Sequence, residues 1–378
     1  MTKNLLVASP YLNNIGGTEI EALIMAVYFY NTNSFKTVTI FTPLICKNKF
    51  FKEIIGSKNI RILHYPIFFN SKSVLFLNKI FKKSGLKIHF LEYFYWMIIS
   101  IKYNSFFLLT YTNCSYFFPL FNFYNEKKKY IAKITMWHYK QLPPSQKNIY
   151  SKFNNIIVFN EEQKLFWIEK NLLRKTICMD IMIFNEPNLL NLPPKKFEKD
   201  YLVFGYLGRI SREKNIVDML FLIDFLNNQN NKKCKLIIQG DGDISYLEDL
   251  ELLIDKLNLK NFVEFNRNFI NPLQTHFFYE RVDVFLVTST SEGGPMTALE
   301  AVAGGCCVLG YNIGAMQARF GSFPYVVNHN FDMLCHSTLS FLNLSKYEKQ
   351  SIVKEFRDFY KLELSNSTKA FKLSQLFK

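Results

Sequence analysis

Short apolar runs alternate along the chain with longer stretches of helical periodicity. Runs of four to eight apolar residues bounded by polar or glycine-rich breaks read as buried strands. They are expected near 4–9, 37–41, 60–63, 106–111, 130–136, 155–159 and 177–183 in the first half. In the second half they are expected near 201–207, 234–239, 262–265, 283–287 and 306–309. Strand alternating with helix predicts α/β architecture with parallel sheets. Asn191, Leu192, Pro193, Pro194, Lys195 and Lys196 read as a linker between two such units, and helical periodicity fills the tail from Lys346. Asn160 fits a helix N-cap, with Glu161, Glu162 and Gln163 in the first turn.

Composition supports two packed cores. The chain has 378 residues, 49% hydrophobic and 20% charged, which argues against disorder. Aromatics reach 17%, with 39 Phe and 21 Tyr; core packing and nucleotide bias in the source genome both explain this. Residues 103–125 carry no charge, but their Asn, Ser, Thr and Pro content argues against a spanning helix. A strand over 106–111 and a short helix over 115–123 fit better. The seven Cys form no C-x-x-C pair and no zinc spacing. With no secretory leader pattern, this leads to the expectation of a cytoplasmic protein.

Charge is uneven. Residues 1–190 carry 24 Lys/Arg against 10 Asp/Glu, net +14, and residues 191–378 carry 22 against 21, net +1. In 68–107, Lys residues interrupt a run rich in Phe, Tyr, Ile and Leu. That composition suits a bilayer headgroup boundary, and equally a pair of helices covering a sheet. An anionic membrane surface is therefore one expected partner, with a peripheral position at the inner membrane face. Nucleic acid is not expected, because no recognition motif accompanies the charge.

Chemistry concentrates after the run Val284, Phe285, Leu286, Val287. Glu292, Gly293, Gly294, Pro295 and, further on, Glu300 follow it. The glycines suit a turn that lets a ligand approach the backbone, and Pro295 suits the first helical position. Free N–H groups there favour an anion. Glu300 lies five residues past Pro295, roughly 7.5 Å along the axis at helical rise. Two carboxylates thus flank an anion site, the layout of a nucleotide-sugar, with hydroxyls at both ends of a diphosphate. Earlier, Gly208 and Arg209 end a strand and Lys214 opens a helix; two fixed cations there can neutralise a diphosphate. Gly16, Gly17 and Glu19 form a loop after the first strand. His138 follows the strand 130–136, at the end where open α/β sheets bind ligands. Asp241, Gly242 and Asp243 mimic a D-x-D metal motif, but a G-x-G turn is the preferred reading.

The 292–300 stretch resembles the E-X7-E element of retaining glycosyltransferases of the GT-B fold, family 4 (glycosyl transferases group 1) above all. The resemblance extends to Arg209 and Lys214, to Gly16, Gly17 and Glu19, and to His138. It implies two Rossmann-like domains facing across a cleft, with a last helix crossing back. The expected division is 1–190 for the acceptor, 191–345 for the nucleotide-sugar, and 346–378 packing back on the first domain. It implies Glu292 at the donor sugar, Glu300 at the ribose, and Arg209, Lys214, Gly293 and Gly294 at the diphosphate. It further implies His138 at the sugar and Gly16, Gly17 and Glu19 lining the acceptor side. Asn215 stands where the family has Gly, and Asn tolerates left-handed backbone. The implied reaction moves a sugar from a nucleoside-diphosphate-sugar to a glycan or lipid-linked acceptor with retention. No metal and no cofactor are required. Bacterial surface polysaccharide is the implied setting: lipopolysaccharide, O-antigen or capsule. A non-catalytic nucleotide-sugar-binding or partner subunit of the same fold is the alternative.

Overall fold

The computed structural model describes residues 3–13, 16–70, 73–74, 76, 79–80, 90–111, 116–136, 144–169 and 175–377. The chain forms two compact units, Met1–Met179 with Ala370–Lys378, and Asp180–Lys369.

The first unit is built on β1 (Asn4–Ala8), β2 (Thr37–Phe41), β3 (Arg61–Leu63), β4 (Ser105–Tyr111), β5 (Lys129–Met136), β6 (Asn155–Val158) and β7 (Thr176–Cys178). They form one parallel sheet in the order β3-β2-β1-β4-β5-β6-β7. The second unit carries β8 (Leu202–Leu207), β9 (Cys234–Gln239), β10 (Val263–Asn266), β11 (Val284–Val287), β12 (Cys307–Tyr311) and β13 (Val327–Asn328). Its parallel order is β10-β9-β8-β11-β12-β13. Central strands are buried on both faces, so near-continuous apolar runs, not alternation, encode them. Each sheet winds outward from its first strand and then returns to that strand's other side. The strand order reverses between the paired neighbours β1 and β4, and between β8 and β11, and at such switch points open α/β sheets offer a crevice to ligands outside the carboxyl ends of the strands.

The aromatic residues fill one core of the first unit. Phe106 stacks on Tyr130 with centroids 5.0 Å apart, Phe121 meets Phe153 at 4.8 Å, and Tyr150 meets Trp167 at 4.9 Å. Such pairs contribute about 0.5–1.5 kcal/mol each beyond area burial. Asn160 accepts the Gln163 N–H at 2.8 Å, and the Gln163 amide oxygen accepts the Phe159 N–H at 2.9 Å, so this helix start is capped reciprocally.

Three expectations change. The strand expected over 177–183 stops at Cys178, because the residues after it belong to the second unit: Asp180 pairs with Arg319, and Ile183 with Asn366. The chain divides at 179/180, not 190/191. Residues 191–196 lie inside the second unit, where Arg357 donates to the Leu192 carbonyl and Lys195 to the Tyr279 carbonyl. Of the tail 346–378, residues 346–369 pack with the second unit and 370–378 with the first. There Phe377 meets Phe29 at 5.1 Å and Phe35 at 5.4 Å. The two-residue strand β13 is too short for any periodicity to announce.

Candidate nucleotide-sugar site

Two loops meet at the switch point of the second sheet. The first leaves β8 through Gly208, makes a single turn over Arg212–Lys214, and enters a helix at Ile216. It is zipped to the loop after β9: Ile210 N–H donates to the Asp241 carbonyl at 2.8 Å, and a Cβ on Gly240 would sit 1.8 Å from the Gly208 oxygen. Asn215 adopts the left-handed conformation (φ 49°, ψ 50°), as the Gly-to-Asn exchange requires.

The second loop leaves β11 and is laced to the first. The Thr288 hydroxyl donates to the Asn215 carbonyl at 2.9 Å, and Thr290 N–H donates to the Glu213 carbonyl at 2.8 Å. This brings Lys214 Nζ to 2.5 Å from Glu292 Oε1, although 78 positions separate them in the chain. The Ser289 hydroxyl donates to the same oxygen at 3.0 Å. Both charged groups are partly exposed. Arg209 does not join them: its guanidinium pairs with Glu213 at 2.6 Å and is two-thirds exposed.

The helix Met296–Ala303 then begins. Pro295 is its N-cap, not its first helical residue as the sequence suggested, and its backbone is extended (φ −60°, ψ 114°). Glu300 lies on this helix, 3% exposed, with its Oε2 accepting from the Tyr279 hydroxyl at 2.9 Å. Burial pushes its carboxyl up to about 7, and the Tyr279 bond opposes that rise only in part. The two carboxylates thus occupy unlike surroundings, Glu292 beside a cation and Glu300 inside the protein.

Asp243 caps the helix Ile244–Lys256, accepting from Ser245 N–H and Tyr246 N–H, and Asp241 accepts the Gly242 N–H at 2.8 Å. Both carboxylates of the D-x-D lookalike therefore serve the backbone.

In the first unit, Gly16 is the N-cap of the helix Gly17–Asn31, and the Glu19 carboxylate folds back over it. A Cβ on Gly16 would stand 2.7 Å from Glu19 Oε2, whereas Gly17 has open space around it. Glu19 is 8% exposed. His138 lies outside the described residues.

Residues 191–349 match the family model for glycosyl transferases group 1. Over this stretch, which lies inside the second unit, the chain is similar to glycosyl transferases group 1. Six candidate residues, Arg209, Lys214, Glu292, Gly293, Gly294 and Glu300, fall inside the match. The chain is 38% identical over 106 residues to the alpha-monoglucosyldiacylglycerol synthase of Streptococcus pneumoniae. That match spans 28% of this chain and only 23% of the relative's length. Among solved structures, TarM of S. aureus, in complex with UDP, has a TM-score of 0.73 at 14% identity, covering all of both chains. HepE of Anabaena, in complex with UDP and glucose, has a TM-score of 0.69 at 13% identity, over 99% of this chain and 98% of that one. These likenesses show the fold, which is GT-B.

Sequence reasoning missed three residues around this candidate site. Tyr279, on the helix Thr275–Arg281 before β11, holds Glu300. Arg319 and Asp180 form a buried bidentate pair, and Arg319 also donates to the Pro295 carbonyl at 2.7 Å. A charge between Met316 and Phe320 was the one available signal. Sequence reasoning also missed a buried pair in the first unit, Lys133 and Glu21 at 3.7 Å.

Proposed function

We propose that the chain transfers a sugar, with retention, from a nucleoside-diphosphate-sugar to a glycan or lipid-linked acceptor, in the building of bacterial surface polysaccharide. The observation that carries this reading is the meeting of Lys214 and Glu292 at the switch point of the second sheet, beside the start of the Met296–Ala303 helix. In this reading Lys214, Arg209 and the N–H groups of Gly293 and Gly294 take the diphosphate, and Glu292 takes a sugar hydroxyl. Lys214 then exchanges part of its bond to Glu292 for one to phosphate. Glu300, whose Oε2 is held by Tyr279, would offer Oε1 to the ribose. His138 is assigned to the sugar, and Gly16, Gly17 and Glu19 to the acceptor side.

The chemistry needs no protein nucleophile. The bond from sugar C1 to the diphosphate oxygen breaks while the acceptor oxygen bonds to C1 on the same face. The acceptor hydroxyl proton passes to the departing phosphate oxygen. Charge grows on that oxygen, and preorganised cations and N–H donors stabilise it there. No metal enters this scheme.

Similarity to the glucosyldiacylglycerol synthase supports a lipid-linked acceptor, and complexes of TarM and HepE with UDP make uridine nucleotides the first donors to try. Among the described residues no helix is long and apolar enough to cross a membrane; a cytoplasmic location, peripheral at the inner membrane face, completes the reading. The test is a thermal-shift screen of UDP, GDP, ADP and their sugar conjugates. A cognate nucleotide at 100 times its Kd stabilises by about 2.7 kcal/mol, and Lys214→Ala should erase most of that shift. If no nucleotide raises Tm, the reading fails.

A further inference from the structure

The turn 292–295 lies against one wall, and that wall is the segment after β12. Gly314 has left-handed backbone (φ 56°), and a Cβ there would lie 2.5 Å from the Gly293 oxygen and 2.8 Å from the Glu292 oxygen. Five residues on, Arg319 Nη1 donates to the Pro295 oxygen at 2.7 Å. Its remaining nitrogens grip both carboxylate oxygens of Asp180, with Nε at 2.6 Å from Oδ2. The guanidinium is almost wholly buried. A planar, five-donor group fixed this way has little freedom, so the carbonyl it holds has little either.

A trans peptide is planar, and the C=O of one residue runs antiparallel to the N–H of the next. The Pro295 carbonyl, held to the wall by Arg319, therefore turns the Met296 N–H, the first of the helix, to the opposite side. Gly294 adds no side chain there, and Pro295 adds no N–H. We infer that Gly314 and the Arg319–Asp180 pair are positioning residues for the diphosphate subsite: Arg319 holds the Pro295 carbonyl back so that the Met296 N–H is presented, and Gly314, lacking a Cβ, lets the turn 292–294 settle beside it. This rests on the donor reading above and adds to it the device that orients its backbone donors. Neither Arg319 nor Asp180 touches the nucleotide-sugar in this assignment.

The experiment compares dissociation constants for a nucleoside diphosphate and for its parent nucleoside (UDP with uridine, GDP with guanosine, ADP with adenosine) by isothermal titration. The variants are Arg319→Met with Asp180→Asn, which removes the buried pair together, and Gly314→Ala, which leaves Arg319 in place. Leu250→Ala, a core truncation in the Ile244–Lys256 helix, controls for lost stability. Misplaced N–H donors should weaken the diphosphate by roughly tenfold in both variants while the nucleoside is unchanged, a split that general loosening would not give. The Leu250→Ala protein should show no split. Equal weakening of both ligands, or unchanged affinity for both, in folded Gly314→Ala protein overturns the inference even if the double variant fails to fold. Binding of no nucleotide by the unaltered chain overturns the donor reading itself, and the inference with it.

Discussion

Glu292 and Glu300 are the same residue type on one continuous stretch, yet their surroundings divide them. Glu292 shares an oxygen between Lys214 and Ser289, whereas Glu300 meets a tyrosine in a buried place. Glu292→Ala should lower kcat by roughly 10²-fold, since the sugar changes charge and shape in the transition state. Glu300→Ala should raise the donor KM, since the ribose changes little. Steady-state kinetics on variants shown to fold by circular dichroism checks both, and unchanged constants in both would remove the site from this stretch. Glu300 also makes stability depend on pH. Its folded pKa is raised by burial to about 7, so its contribution is fully present below the unfolded pKa and is lost as pH rises through 7. The unaltered chain should lose more Tm between pH 5.5 and pH 8 than Glu300→Gln does; at this size each kcal/mol shows as roughly 2–4 °C. Parallel slopes would mean that Glu300 ionises without cost. The carboxylates and Lys214 were legible in the sequence because strand, glycines and proline come in a readable local order. Arg319 and Asp180 were not, because the pair joins positions 139 apart and neither has a local pattern.

At the scale of elements, the helix Phe90–Lys102 answers a question that composition left open. Trp96 and Ile99 are buried in the aromatic core, so the helix covers the sheet. Its other side is apolar too: Phe94 is 41% exposed, Ile98 60% and Ile101 75%. Positions spaced four and three apart share one face, and an exposed apolar stripe of this kind marks an interaction surface. In the proposed setting, with residues 1–190 at net +14, an anionic bilayer is the proposed partner. The chain should sediment with acidic vesicles more than with neutral ones, less so at high salt. Ile98→Asp with Ile101→Asp should weaken that binding by about tenfold or more. Partition into neither vesicle, or no loss in the variant, would end the idea. The strands themselves were legible nearly to the residue, since a buried parallel strand is an unbroken apolar run. The strand expected over 177–183 misled for the same reason: Ile181, Met182 and Ile183 continue the run, but they are buried in the other unit.

At the scale of the molecule, two doubly wound sheets were legible from alternation alone, and their number from length. What alternation could not show is where the chain changes unit, because crossings depend on distant partners. At the first crossing Met179 gives its carbonyl to Lys133 of the first unit, and Ile181 gives its carbonyl to Lys369 of the second. No proline or glycine cluster marks either place. The division also bears on how the protein is made. Phe377 closes over Phe29 and Phe35, and the Tyr28 hydroxyl donates to the Ala370 carbonyl at 3.1 Å. The first unit therefore lacks nine of its residues until all of Asp180–Lys369 has left the ribosome. At roughly 5–20 residues per second, that interval is on the order of 10–40 s. Throughout it Phe29 and Phe35 lack the ring that covers them, the kind of transiently exposed apolar surface that makes nascent chains prone to aggregate.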